Sequence, residues 1–273
     1  MEREEAHADR ITTHAFGAFR LDIQNDGVGV VEFSRPPVNA VSISVYRDLG
    51  NLVSFIEASD LVRAVVLTAH EGARAWCGGA DLNDFVGIDA AGRKERYRFV
   101  NEQLPRLYRL DRPVIAAING AAIGVGMIIA GLCDMRVAAE DAAFACPEID
   151  YGLVGGAAGL FFMLKIPEAK SREMLFTGER FSARSLEATG FFNAVVPRAD
   201  VMATAMKIAR SAARKSLPVI RARKRASIAA AGDDWRAAYL IAQSMTAELS
   251  ENDDGGEGVR AFLDRREPNY RDR

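Results

Sequence analysis

The chain has 273 residues, 49% hydrophobic and 26% charged, a balance that excludes a disordered polymer and leaves room for a large buried core. Its 35 Lys and Arg against 37 Asp and Glu give a net charge of −2, so no bulk attraction to nucleic acid or to an anionic membrane is expected. Cys77, Cys133 and Cys146 form no CxxC or Cys/His spacing, which points to free thiols in a cytosol-like compartment and to no metal. The first ten residues, MEREEAHADR, mix both charge signs without an apolar run, unlike a signal or transit peptide, and a cytoplasmic location is expected.

In chain order, residues 19–23 and 28–33 flank Asn25-Asp26-Gly27, which predicts a β-hairpin. Residues 44–59 carry Val45, Leu49, Leu52, Val53 and Ile56 at helical spacing, and the β-branched run 64–68 predicts a buried strand. A polar, Gly-rich stretch follows over 70–83, then a charged helix over 91–110. Residues 113–133 hold no charge, but Asn119 and four glycines divide them into a strand over 114–118, a turn and a small-residue helix over 125–131. A membrane span is therefore not expected there. A further strand is predicted over 135–138, and after a Gly-rich apolar segment the chain turns helical, over 202–214, 219–230, 235–249 and 258–266. The reading is an α/β core over residues 15–200, built of strand-strand-helix units, and a helical C-terminal segment over 201–273.

Charge is unevenly placed near the end. Residues 207–225 hold eight basic side chains and no acid, whereas 248–257 hold five acids and no base. Two readings stand: solvated helix faces, or a basic helix that meets a phosphorylated ligand or a neighbouring subunit.

Three segments have the composition of a ligand cradle: RPPVNA (35–40), CGGADL (77–82) and INGAAIGVG (118–126). Small-residue turns leave backbone N–H groups uncovered, and a helix starting near Gly124 to Gly126 adds more of them at the positive end of its dipole. Two such sources converging on one oxygen would make an oxyanion hole. Glu148, in Cys146-Pro147-Glu148-Ile149, admits two readings: an acid favoured in the first turn of a helix begun by Pro147, or a general base in a partly dry pocket. Cys146 as a nucleophile is disfavoured because no His is near it in sequence, and His7, His14 and His70 are expected at the surface or in structural roles.

Taken in order, RPPVNAVS, CGGADL, RPVIAAINGAAIGVG, Cys133-Asp134, FACPEIDYGLVGGAAG, LFTGERFSA and EGVRAFLDRR make the chain, from about residue 19 to 266, resemble the enoyl-CoA hydratase/isomerase (crotonase) superfamily. The resemblance implies a crotonase-like fold of repeated β-β-α units with a helical C-terminal trimerisation segment, in a homotrimer or a hexamer of two trimers. It implies an acyl-CoA substrate, with coenzyme A part of that substrate rather than a separate cofactor. By the same resemblance the Ala80 and Val125 N–H groups hold the thioester oxygen, and the coenzyme A runs along Val38, Ala40, Gly78, Asp81 and Leu82.

Hydratases of this family commonly carry two glutamates. By the resemblance the second is Glu148, whereas the first position is Ile128, and Gly156 matches the position whose N–H helps to hold water. Ile128 neither gives nor takes a proton, so chemistry with a single acid is expected: Glu148 moves a proton beside the thioester, by hydration or by double-bond isomerisation. Asp150 and Tyr151 are candidate auxiliary groups. Other family reactions (thioester hydrolysis, decarboxylation, carbon–carbon cleavage) and an acyl-CoA-binding trimer without turnover are the alternatives.

Overall fold

Two sheets carry the strands, and the candidate site lies at the smaller one. The computed structural model describes residues 10–154, 166–231, 240, 243–245, 247 and 253–269. β1 (Arg10–Phe16), β2 (Phe19–Gln24) and β3 (Val28–Phe33) form an antiparallel meander, with the predicted hairpin turn between β2 and β3. From β3 the sheet continues in parallel through β4 (Ala64–Ala69), β6 (Val114–Ile118), β8 (Met135–Ala139) and β11 (Ala194–Val196). β4 and β6 are almost wholly buried, as expected of parallel strands covered on both faces.

The second sheet is made of very short strands in the order β10-β9-β7-β5: β5 (Ala75–Cys77), β7 (Ala121–Ile123), β9 (Ala143–Ala145) and β10 (Phe181–Ser182). The polar, Gly-rich stretch 70–83 contributes a strand, and the uncharged segment 113–133 contributes β6, β7 and a helix. No helix among the described residues is long and apolar enough to cross a membrane.

Helix α1 (Ile43–Ala58) buries Val45, Leu49, Leu52, Val53 and Ile56, the face read from its spacing. Helix α2 (Ala90–Arg109) packs against α1 and against α3 (Val125–Leu132), which is buried along its whole length. Two shorter helices, α4 (Glu168–Thr177) and α5 (Ala183–Leu186), precede β11. α6 (Val201–Ala213) covers β4, β6 and β8; α7 (Leu217–Ala231) follows, and α8 (Asp253–Leu263) begins five residues earlier than the sequence suggests. The expected helix over 235–249 falls largely outside the described residues.

The basic run 207–225 is partly internal wiring. Arg210 pairs with Asp26 at 2.7 Å, Arg221 with Asp111 at 2.9 Å and Lys224 with Asp134 at 2.8 Å. Lys224 is 8% exposed and its Nζ also donates to the Arg112 carbonyl, while the fully buried Arg112 donates to the Val62 and Ser59 carbonyls. Of the three, the buried Lys224 ties α7 to the core, while Arg210 and Arg221 pair at the surface.

Candidate active site

The loop 35–40 is locked from both ends. Asn39, fully buried with φ +53°, accepts from the Arg35 N–H at 2.7 Å and donates to the Phe33 and Ala75 carbonyls. Arg35 donates to the Ala40 carbonyl at 2.9 Å and pairs with Asp81 at 2.7 Å; desolvation raises the Asp81 carboxyl, but the hydrogen bonds from Arg35 and Asn83 and the Arg35 charge together outweigh it and hold the group below the ordinary range. The loop and the Gly-Gly turn are then stitched together: Gly78 N–H donates to Val38, Val41 N–H to Gly79 and Asp81 N–H to Val41.

Glycine is required where this turn meets α3. A Cβ on Gly126 would sit 2.6 Å from the Cys77 carbonyl oxygen, and one on Gly79 (φ +101°) 3.1 Å from that of Ile123. The absence of side chains lets the start of α3 lie against the turn that carries Ala80. Among the described residues neither the Ala80 N–H nor the Val125 N–H donates a hydrogen bond to protein. Val125 is the first residue of its helix, where N–H groups have no partner within the helix and the dipole is positive.

Glu148 lies in the single 3-10 turn Pro147–Tyr151 that follows β9. A Cβ on Gly124 (φ +53°) would be 2.6 Å from Glu148 Oε1, so the carboxyl rests directly on the glycine preceding Val125. Among the described residues no cation pairs with it. Surrounding protein keeps bulk water off the carboxyl and pushes its pKa up to about 7, with the Asp150 charge adding to the rise and the Glu148 backbone N–H opposing it. The side chain is nevertheless only half-buried, because one side of it opens on a cavity.

That cavity, of about 500 Å³, brings together most of the residues singled out from the sequence. Glu148, Ala80 and Val125 line it, and so do Val38, Ala40, Gly78, Asp81 and Leu82. Ile128 also lines it, so the position without an acid does face the site. Gly156 lies outside the described residues. Tyr151 is in the lining, packed edge-on against Phe262 of α8 at 5.2 Å, whereas Asp150 is exposed and lies outside it. Cys146 is buried, and desolvation followed by the nearby Glu148 charge holds its thiol well above the ordinary range, which disfavours the thiolate a nucleophile needs. His14 packs at a tilt against Phe55, ring centres 4.3 Å apart, a structural role, and His7 lies outside the described residues. Among the described residues no group of acids, His and Cys has the spacing of a metal site.

Sequence reasoning missed Tyr46, Phe85 and the α8 residues Phe262 and Leu263 in the wall, whereas Arg96 and Tyr97 belong to the charged helix over 91–110, which the sequence offers as a shaper of the acyl pocket without fixing its side-chain directions. A signal existed for α2. Residues 93, 96, 100, 104 and 107 fall on one helical face and are all buried, although the first two are arginines.

The family model described as enoyl-CoA hydratase/isomerase matches residues 23–273, nearly the whole chain. The chain belongs to this family. It is 31% identical over 251 residues to human "Enoyl-CoA hydratase domain-containing protein 3, mitochondrial", covering 90% of this chain and 81% of that relative. It is 34% identical over 227 residues to a Mycobacterium tuberculosis family member named "(7aS)-7a-methyl-1,5-dioxo-2,3,5,6,7,7a-hexahydro-1H-indene-carboxyl-CoA hydrolase", covering 82% of this chain and 90% of that one. The crystal structure of an enoyl-CoA hydratase/isomerase from Pseudoalteromonas atlantica superposes with a TM-score of 0.81 at 25% identity, over 93% of this chain and 99% of the other. The crotonase-type fold expected from the motifs is the fold observed.

Proposed function

We propose that the protein is an enzyme of single-base enolate chemistry on an acyl-CoA thioester, with Glu148 as the proton-transfer group. The observation that carries this reading is the contact of the Glu148 carboxyl with Gly124, one residue before the uncommitted Val125 N–H in the same cavity. Val125 and Ala80 N–H groups receive the thioester oxygen as it gains negative charge; in comparable sites each lost donor costs about 2.7–4 kcal/mol of transition-state stabilisation. Coenzyme A follows the rim through Val38, Ala40, Gly78, Asp81 and Leu82, where small side chains leave backbone accessible.

With a pKa of about 7, Glu148 exchanges a proton in either direction near neutrality. In a double-bond shift it takes a proton from the α-carbon of a 3-enoyl thioester, the two amides hold the dienolate, and the same carboxyl returns the proton at the γ-carbon. Hydration demands a second positioned group for water, and the wall offers Ile128 where the resemblance implies an acid. Isomerisation is therefore favoured over hydration. A second reading, hydrolytic cleavage, is favoured by the relative named a hydrolase. We also propose a homotrimer, since exposed Val219, Leu240 and Met245 in the C-terminal segment suit a covered surface.

Crotonyl-CoA and a 3-enoyl-CoA, each incubated with the purified protein, separate these reactions. A 2-enoyl product from the second substrate, of unchanged mass, supports isomerisation; a gain of one water supports hydration; release of free thiol supports hydrolysis. Turnover of neither thioester overturns the assignment.

A further inference from the structure

A hydrocarbon acyl chain needs an apolar pocket, and Val100, Leu104 and Ile128 provide one. One part of the wall is different. Arg93 and Arg96 are 2% and 8% exposed, with their guanidinium carbons 5.0 and 4.5 Å from the centre of the Phe85 ring. Arg96 lines the cavity beside Tyr46, Phe85 and Tyr97.

Among the described residues Arg96 pairs with one carboxylate, and Arg93 with none. Arg96 Nη2 donates to Asp84 Oδ2 at 3.3 Å, and that oxygen also accepts the Ile43 N–H at 2.9 Å. The guanidinium carbon of Arg96 also lies 5.7 Å from the centre of the Tyr46 ring. Among the described residues Nε of Arg96, and Nε and Nη1 of Arg93, are buried without an acceptor. Buried cations with unmet donors are rare in folded proteins, because each forfeits hydration without replacing it. Only the Asp84 carboxylate pairs with this arginine pair among the described residues, and of the two arginines it is Arg96 that lines the cavity. A purely aliphatic chain entering here would strip water from Arg96 and offer nothing in return.

We propose that Arg96, with its charge reinforced by Arg93, recognises a carboxylate at the distal end of the acyl chain, so that the substrate is the mono-CoA thioester of a dicarboxylic acid. The inference rests on the acyl-CoA reading above and specifies its substrate class. A planar guanidinium held over Phe85 suits a carboxylate better than a lysine ammonium would, since it presents paired donors in a fixed plane.

The test uses saturated thioesters, which undergo no net conversion, so it needs no turnover. Calorimetric titrations compare hexanoyl-CoA, 5-oxohexanoyl-CoA and the mono-CoA thioester of hexanedioic acid against the wild-type protein, Arg96→Met and Arg96→Lys. The wild type is expected to bind the diacid thioester about tenfold or more tightly than hexanoyl-CoA. Arg96→Met removes or inverts that preference, and Arg96→Lys retains part of it. Equal or tighter binding of hexanoyl-CoA by the wild type overturns the proposal, as does a diacid preference that survives in Arg96→Met. Equal affinity for the oxo and diacid thioesters also overturns it, by assigning the cluster to a neutral carbonyl. Should Arg96→Met fail to fold, the wild-type series and Arg96→Lys still decide. Binding of none of the three strikes the acyl-CoA reading itself, and the proposal falls with it, whereas binding without any enoyl turnover strikes only the reaction.

Discussion

Replacing Glu148 by Gln should make the protein more stable above neutral pH while removing its proton-transfer group. The folded-state pKa of about 7 lies above the ordinary 4.5, so the native state holds its proton more tightly than the unfolded chain does. Stability from this group is then highest below pH 4.5 and falls as pH rises through 7, where the fold must accept a desolvated negative charge. A shift from 4.5 to about 7, at 1.36 kcal/mol per unit, corresponds to about 3 kcal/mol, and contact with cavity water reduces this to about 2 kcal/mol. Gln has nearly the same shape and never carries the charge. Urea unfolding at one fixed protein concentration, at pH 5 and pH 8, measures the difference. The variant is expected to match wild type within about 0.5 kcal/mol at pH 5 and to exceed it by about 2 kcal/mol at pH 8. An equal offset at both pH values, or a loss at pH 8, would show that the carboxylate is solvated or paired and would refute the argument.

The remaining predictions concern the same cavity. The kcat/KM of the wild type should fall tenfold per pH unit below about 7, because the base must be unprotonated to take a carbon-bound proton; a flat profile between pH 5 and 7 contradicts this. Gly124→Ala places a methyl group in the space of Glu148 Oε1 and should lower kcat by about 100-fold or more, with coenzyme A affinity changed less than threefold by calorimetry. Ile128→Glu puts a second carboxylate on the same wall, so the acid limb of the pH profile should move upward by about one unit, read from the same rate measurements. Arg35→Ala unties Asp81 and the Ala40 carbonyl at the rim and should raise KM for the thioester by about tenfold while kcat changes little, as steady-state kinetics would show.

The elements readable in the sequence are those long enough to show a period. α1 and α2 were visible as helices, and β4 and β6 as apolar runs, because burial of one stripe or of both faces leaves a pattern over many residues. β5, β7, β9 and β10 hold two or three residues each, too few for any alternation, and exist only through pairing with one another. They are the strands that carry the site: β5 leads into the Ala80 turn, β7 into α3 and β9 into Glu148. The motif residues were legible as types, but the contact of Glu148 with Gly124 depends on a side-chain direction that no spacing encodes. The inward turn of Arg93 and Arg96 was hidden for a different reason. Their spacing is that of the buried face, yet their charge reads as solvent-facing until Phe85 and Asp84 are placed opposite them.

Proton exchange at the α-carbon isolates the proposed chemistry from any particular product. With butyryl-CoA in D2O near neutral pH, the wild-type protein should exchange the α-hydrogens for deuterium, as followed by NMR, and Glu148→Gln should exchange them no faster than buffer while still binding the thioester. Exchange in Glu148→Gln at the wild-type rate would contradict the account.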